Sequence, residues 1–259
     1  MIIPRKKSQE RDKWSIITGI AFGCQRGKAP LSVSPSRVTL DRLPYFRALT
    51  TAEQVALAAD ATRHTFRAGE LLLSRGEYFP YVWLVESGQV KVFRINQDGR
   101  EHILRIVGAG DSVNDVAALD GGPTPANVAA LTPVIAWSLE GERLRTTIRR
   151  HPDLALEVIQ MLAQRTRKLA QQIEDLALYP VTARLARFLL QKPLPRDGTI
   201  TRATIAAHLG TTPESLSRAL RALKAQGAIR YDRSAIVIIQ RETLQQIATD
   251  GCLPCSTSS

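Results

Sequence analysis

Between residues 25 and 251 the chain contains no cysteine; its three thiols, Cys24, Cys252 and Cys255, all lie outside that span. A disulfide framework for the folded part is excluded, and the pattern fits a reducing cytoplasm. No apolar run approaches the length a membrane span needs, so no membrane partner is expected. No arginine occurs between Arg105 and Arg143, so a phosphate buried by that segment would lack a guanidinium partner and be costly. Acidic residues are scarce at both ends. Residues 1–37 hold eight Lys/Arg against two Asp/Glu and residues 181–259 hold eleven against five, whereas residues 38–180 are nearly balanced, in a chain of net charge +11. A neutral middle between basic ends favours a nucleic-acid surface at one end over a uniformly sticky protein.

What is present is organised around Thr201–Lys224, TRATIAAHLGTTPESLSRALRALK. Ile205, Ala206 and Leu209 mark one face of a short helix that Gly210 stops. Thr212 stands where an N-cap belongs and Pro213 at the first helical position. Leu216, Leu220 and Leu223 then face one way, and Glu214, Ser217, Arg218 and Arg221 the other. Helix, glycine turn and capped helix form a helix-turn-helix, whose second helix enters the DNA major groove with its N-terminal residues nearest the bases. Glutamate can accept from cytosine N4, arginine can grip guanine O6 and N7, and serine serves either.

The run Pro213-Glu214-Ser215-Leu216-Ser217-Arg218 resembles the recognition helix of the CRP/FNR family of bacterial transcription regulators. The spacing Glu-x-x-Ser-Arg is that of its FNR-type branch; the cyclic-AMP receptor branch has glycine where Ser217 stands. The resemblance extends over about residues 40–250. It implies an α+β chain: a cyclic-nucleotide-binding-like β-roll (jelly roll), a long dimerisation helix and a C-terminal winged helix-turn-helix. The expected divisions are 1–37, a flexible basic tail; 38–150, the effector-sensing β-roll; 151–180, the dimerisation helix; 181–251, the DNA-binding domain; and 252–259, a flexible tail.

Taken in order, Arg5, Lys6, Lys7, Arg11 and Lys13 precede a short apolar stretch, Trp14–Phe22, that only faintly imitates an export signal and reads as part of the tail. Folded sequence begins near Leu40, with a lead-in helix over Thr51–Ala59 that Thr51 caps. Short β-rich runs then alternate with glycine turns: Thr65-Phe66, Leu71–Leu73, Tyr81–Val85, Val90–Ile95, His102–Val107, Val128–Leu131 and Val134–Leu139. Many short strands at near-even spacing mean a sandwich, barrel or jelly roll. From Pro152 to about Tyr179 the pattern is helical, with Ile159, Thr166 and Ile173 recurring every seven residues and Leu162, Leu169 and Leu176 offset by three, the a/d seam of a homodimer. Val181–Leu190 forms a helix. Ile229–Tyr231 and Ile236–Ile239 pair as a wing around Asp232-Arg233-Ser234, and Thr243–Ala248 closes the domain.

The resemblance implies that Glu214, Ser217 and Arg218 read an inverted repeat, TTGAT-N4-ATCAA, and that the partners are an operator duplex and, for an activator, RNA polymerase. Arg202, Thr212, Arg221, Lys224, Arg230 and Arg233 are expected on phosphates. The cyclic-AMP branch binds phosphate with Gly-Glu-Leu followed by Arg-Ser-Ala; here the segments read Asn114-Asp115-Val116 and Thr124-Pro125-Ala126, which argues against a cyclic nucleotide. The FNR iron–sulfur cluster needs four cysteines, which this chain does not supply in that pattern. The nitric-oxide-responsive denitrification regulators are nearer in texture. They are associated with haem, for which His64 and His102 are the candidate ligands here. Asn114, Asp115, Thr124, Asn127 and Arg165 are the candidate effector-pocket residues. Two alternatives remain open: a cyclic-nucleotide-controlled regulator, and a cupin-type enzyme with an accessory DNA-binding domain. The latter would need clustered His and Glu ligands that His64 and His102 do not supply. Cys252-x-x-Cys255 reads as tail thiols and no metal is assigned.

Overall fold

In the computed structural model, the residues described are 46, 48–191, 200–232 and 235–251. The expected tails, with Cys24, Cys252 and Cys255, and the wing residues Arg233 and Ser234 lie outside them. Helix α1 (Thr51–Ala59) opens the described fold. Its cap is Thr50, not Thr51: Thr50 is extended and forms a reciprocal capping box with Glu53.

Two four-stranded antiparallel sheets follow. One orders β1 (Thr62–Phe66), β8 (Val134–Glu140), β3 (Tyr81–Ser87) and β6 (Ser112–Val113). The other orders β2 (Leu71–Leu73), β7 (Asn127–Ala130), β4 (Gln89–Ile95) and β5 (Glu101–Gly108). The two-residue period of a strand sorts side chains to opposite faces. Trp83 and Val85 of β3 meet Val90, Val107 and Val128 between the sheets. Val82 and Leu84 face the other way, onto Leu57 of α1, Leu144 of α3 (Gly141–Arg150) and Leu154 and Val158 of α4 (Pro152–Leu178). Alternation along β4 puts Phe93 on the outer face, and a register shift that skips a residue of β5 sets Ile103 opposite it, where the two cluster with Ile106 and Ala129.

Between β6 and β7, α2 (Asp115–Asp120) starts from Asn114, which is held in the left-handed region at φ 66°. Asn114 Nδ2 stabilises that strained start by donating to the carbonyls of Phe79 and Tyr81, 2.9 Å each. Past α4 come α5 (Val181–Gln191), α6 (Arg202–His208), α7 (Pro213–Ala225), the hairpin β9 (Ile229–Tyr231) and β10 (Ile236–Ile238), and α8 (Arg241–Asp250). Leu185, Leu189, Ile205, Leu216, Leu220, Leu223, Leu244 and Ile247 form one buried core. The closing helix is longer at both ends than the sequence pattern indicates, because its polar first and last turns carry no apolar signal.

Candidate nucleic-acid interface

The sequence of α6 and α7 builds the interface locally. Thr201 accepts the backbone N–H of Thr204 at the start of α6, and Thr212 accepts that of Ser215 at the start of α7, each satisfying an orphan donor of a first turn. Gly210 joins the helices at φ +60°. Leu216, Ala219, Leu220 and Leu223 bury one side of α7, which leaves Glu214, Arg218, Arg221 and Lys224 exposed and Ser217 half-buried. The Glu214 carboxyl is held below the usual range, first by its own backbone N–H and the Thr212 hydroxyl, and further by Arg218 and Arg100. Arg218 Nη2 donates to Ser215 Oγ, 2.9 Å, so acceptor and guanidinium stand beside each other at the exposed N-terminal end.

The expected phosphate-facing set surrounds this helix. Arg202 Nη2 donates to the Asp232 carbonyl, 2.8 Å, and its guanidinium lies 5.2 Å from the Tyr231 ring centre; Lys224 Nζ lies 5.6 Å from the same ring. Tyr231 thus gathers a cation from α6 and one from α7 beside the wing. Arg230 is exposed on β9.

The α4 seam is uneven. Ile159, Leu169, Ile173 and Leu176 are 61, 45, 67 and 42% exposed. Leu162 instead packs partly against the β-roll core. The Thr166 hydroxyl donates back to the Leu162 carbonyl, 2.9 Å, as a mid-helix threonine often does.

The effector-pocket candidates divide into two groups. Arg165 reaches from α4 to Asp115 (2.5 Å) and Asp111 (3.1 Å) and donates to Ser112 Oγ (3.0 Å); Arg105 also holds Asp111. Asp115 has only 2% of its side chain exposed, against 17% for Arg165. Thr124 and Asn127 belong elsewhere: Thr124 exchanges backbone hydrogen bonds with Gly76 and Glu77, and Asn127 Oδ1 accepts the Arg75 N–H. The two haem-ligand candidates are engaged within the fold. His64 Nε2 is 2.9 Å from Ser138 Oγ and its ring packs 4.7 Å from Trp83; burial depresses its pKa. His102 Nδ1 pairs with the Ala207 carbonyl at 3.1 Å. Among the described residues no group of three or more His, Cys, Asp or Glu could hold a metal ion.

Sequence reasoning missed the residues that hold the DNA-reading domain in place. Arg187 bonds Asp175 (2.5 Å) and the Ala248 carbonyl (2.7 Å) and stacks on Tyr179 at 3.6 Å. His208 Nδ1 pairs with the Ile103 carbonyl (3.2 Å), the counterpart of His102 on Ala207. Nothing in their local sequence marks these contacts, and those of Arg187 with Ala248 and of His208 with Ile103 join segments far apart in the chain.

A double-layered β-roll, a long helix with an exposed apolar seam, and a winged helix-turn-helix presenting polar residues at a helix N-terminus define a DNA-binding regulator with a sensor-type domain. Family comparison agrees part by part: residues 63–151 match the cyclic nucleotide-binding domain and residues 183–247 the Crp-like helix-turn-helix domain. The chain belongs to the CRP/FNR family of transcription regulators. It is 28% identical over 220 residues to the CRP-like cAMP-activated global transcriptional regulator of Mycobacterium tuberculosis, covering 81% of this chain and 98% of that protein. It is also 28% identical over 210 residues to the cyclic AMP receptor protein of Thermus thermophilus, covering 79% of this chain and 96% of that protein. The structure of FixK2 from Bradyrhizobium japonicum superposes with a TM-score of 0.64 at 26% identity, over 72% of this chain and 96% of that one. No described helix is long and apolar enough to cross a membrane.

Proposed function

We propose that the protein is an effector-controlled homodimer that reads TTGAT-N4-ATCAA through Glu214, Ser217 and Arg218. The observation that carries this reading is the exposed N-terminal end of α7, where an ionised Glu214 and Arg218 flank Ser217 above a buried leucine side. Arg218 grips the guanine of each half-site; Glu214, an acceptor only, takes the amino group of a cytosine. Arg202, Thr212, Arg221, Lys224, Arg230 and Arg233 position the duplex on its phosphates. The Ile159–Leu176 seam sets two such helices about one helical turn apart. The test is a titration of wild type and Arg218→Ala against the repeat and against a repeat with its guanine changed. Wild type should prefer the repeat, and Arg218→Ala should lose about 1–3 kcal/mol per half-site on it and little on the altered site. Equal losses on both would make Arg218 a phosphate clamp and refute the operator assignment.

The effector in this reading is not a cyclic nucleotide. The residues present do not fit one: Thr124 and Pro125 offer a phosphate no charge, and Arg165 is committed to Asp111, Asp115 and Ser112. Activation by cyclic AMP, named for the mycobacterial relative, is accordingly not transferred. Calorimetry with cyclic AMP and cyclic GMP should give no micromolar binding, and a micromolar isotherm would overturn this part. The domain divisions 38–150, 151–180 and 181–251 are proposed as the functional units of sensing, pairing and reading.

A further inference from the structure

We infer that Arg187 is a positioning residue: it sets the angle between α4 and the DNA-reading domain, and with it the separation of half-sites that the protein accepts. The second half of this inference rests on the homodimer and inverted repeat proposed above. The joint between α4 and α5 is two residues long. Tyr179 ends α4 in an extended conformation, at φ −115° and ψ 137°, and Pro180 follows it. Proline holds the residue before it out of the helical region, so the chain must change direction there. The backbone does not settle by how much. The α4 ladder ends with the Tyr179 N–H on the Asp175 carbonyl, and the α5 ladder begins with the Arg184 N–H on the Pro180 carbonyl. The angle between the two helices is therefore left to side chains.

One guanidinium spans the joint. From the second turn of α5, Arg187 Nη1 donates to Asp175 Oδ1 in the last turn of α4, 2.5 Å, and Nε donates to the Ala248 carbonyl, 2.7 Å. Its central carbon lies 3.6 Å from the centre of the Tyr179 ring. The end of α4, the joint itself and α8 are thus tied through a single side chain. Ala248 is in the last turn of α8, where carbonyls have no partner inside their own helix, so the bond also meets a need of the reading domain. Asp175 is oriented in turn by Gln171 Nε2 at 3.1 Å. The tyrosine ring lies against Gly251, the cap of α8, where an added Cβ would be 3.5 Å from Tyr179 Cδ1. Arg187 and Asp175 are each 18% exposed, unlike a solvated pair such as Arg149 and Glu142 at 68 and 54%. The reading domain is also attached to β5, through histidine–carbonyl bonds and a small apolar cluster. Charge-assisted bonds such as those of Arg187 are the stronger kind, and they act at the pivot. Adding one base pair between half-sites turns one against the other by about 35° and moves it by about 3.4 Å. A reader clamped at the pivot can follow that change only by giving up the contacts of Arg187.

The first test needs no DNA. Spin labels are attached to the full chain at Arg150→Cys on α3 and Arg241→Cys on α8, both exposed positions, with Cys24, Cys252 and Cys255 replaced by serine. Labelled chains are diluted into unlabelled ones, so that distances are read within one chain. The parent protein should give one narrow distance. Arg187→Met should broaden it, and so should Arg187→Lys, which keeps a charge near Asp175 but loses the planar fork and the stack. Lys168→Met, which removes an exposed cation from α4, should leave it narrow. The second test titrates the repeat with spacers of three, four and five base pairs. The parent should prefer one spacer, and Arg187→Met should reduce that preference about tenfold or more, the worth of a hydrogen bond to a charged group. Preference for the guanine within each half-site should survive, showing the reader intact. A narrow distance in both Arg187 variants would overturn the positioning role and leave the β5 attachment to orient the reader. A broadened distance with an unchanged spacer preference would overturn the role in site selection. If the parent shows no guanine preference, the operator reading fails by itself and takes the spacer claim with it, while the distance measurement still decides the angle. Where Arg187→Met does not fold, Asp175→Asn, which neutralises the partner on the other helix, is put through the same measurements.

Discussion

Arg218 and Lys224 project from the same helix but are expected to fail differently. Lys224, which lies against Tyr231 and not at the helix N-terminus, should on replacement by alanine weaken binding to all sequences alike and flatten the salt dependence, whereas Arg218→Ala is selective. A pair of titrations at two salt concentrations separates them. Arg165 makes a prediction about stability. Arg165→Met leaves Asp115 buried opposite an apolar side chain, at a cost of about 3 kcal/mol or more, because a buried charge without its partner keeps its desolvation penalty. Arg165→Met/Asp115→Asn should recover part of that loss in denaturant melts; if the double variant is no more stable than the single, the pair is not the source. The sequence places Arg165, like Asp115, among the effector-pocket candidates but does not pair the two with each other. Its partners precede it by fifty residues or more, and no local pattern encodes a contact at that distance. Thr50 and Thr51 illustrate the opposite limit: both suit a cap, and only the extended backbone at Thr50, with Glu53 reaching back to it, decides between neighbours.

At the level of elements, the long strands and helices were legible because their periods are two and 3.6 residues and glycine turns separate them. β6 and α2 were not, being two and six residues long, too short for any period to repeat. Nor was α3, whose only buried side chain beyond its first residue is Leu144. Gly88 is a turn whose importance can be measured. It sits at φ +85°, and a Cβ there would come within 2.2 Å of the Pro133 carbonyl oxygen, whereas Gly69 at φ +87° has nothing within 4 Å. Gly88→Ala should therefore destabilise by clearly more than the about 1–2 kcal/mol that left-handed backbone alone costs, and Gly69→Ala by about that amount. Equal thermal shifts would mean the Pro133 segment yields freely. For α4, Leu169→Asp places a charge in each copy of the proposed seam. Sedimentation should show monomers with operator binding lost, and a dimeric Leu169→Asp protein would show the seam misassigned. The heptad pattern is the basis of the proposed seam, and it could not reveal that Leu162 turns partly toward its own β-roll.

At the level of the whole molecule, the outer face of the second sheet supports the reading domain. Ala207 and Ile200 pack on the cluster of Phe93, Ile103, Ile106 and Ala129, and His102 and His208 each cap a carbonyl of the other's segment. Two domain types were readable in sequence; their mutual packing was not, since it depends on single histidines and alanines. α4 joins them as one uninterrupted helix of 27 residues, and this gives its anchoring a mechanical consequence. From Arg165 to Leu178 the helix is a lever arm of about 20 Å, so a tilt of only about 5° at the arginine moves the far end by about 1.7 Å. A bidentate contact between an arginine and a guanine tolerates a few tenths of an ångström. The buried Asp115 carboxylate against Arg165 is thus the fulcrum of the arm, and small displacements there arrive at the far end of the helix multiplied.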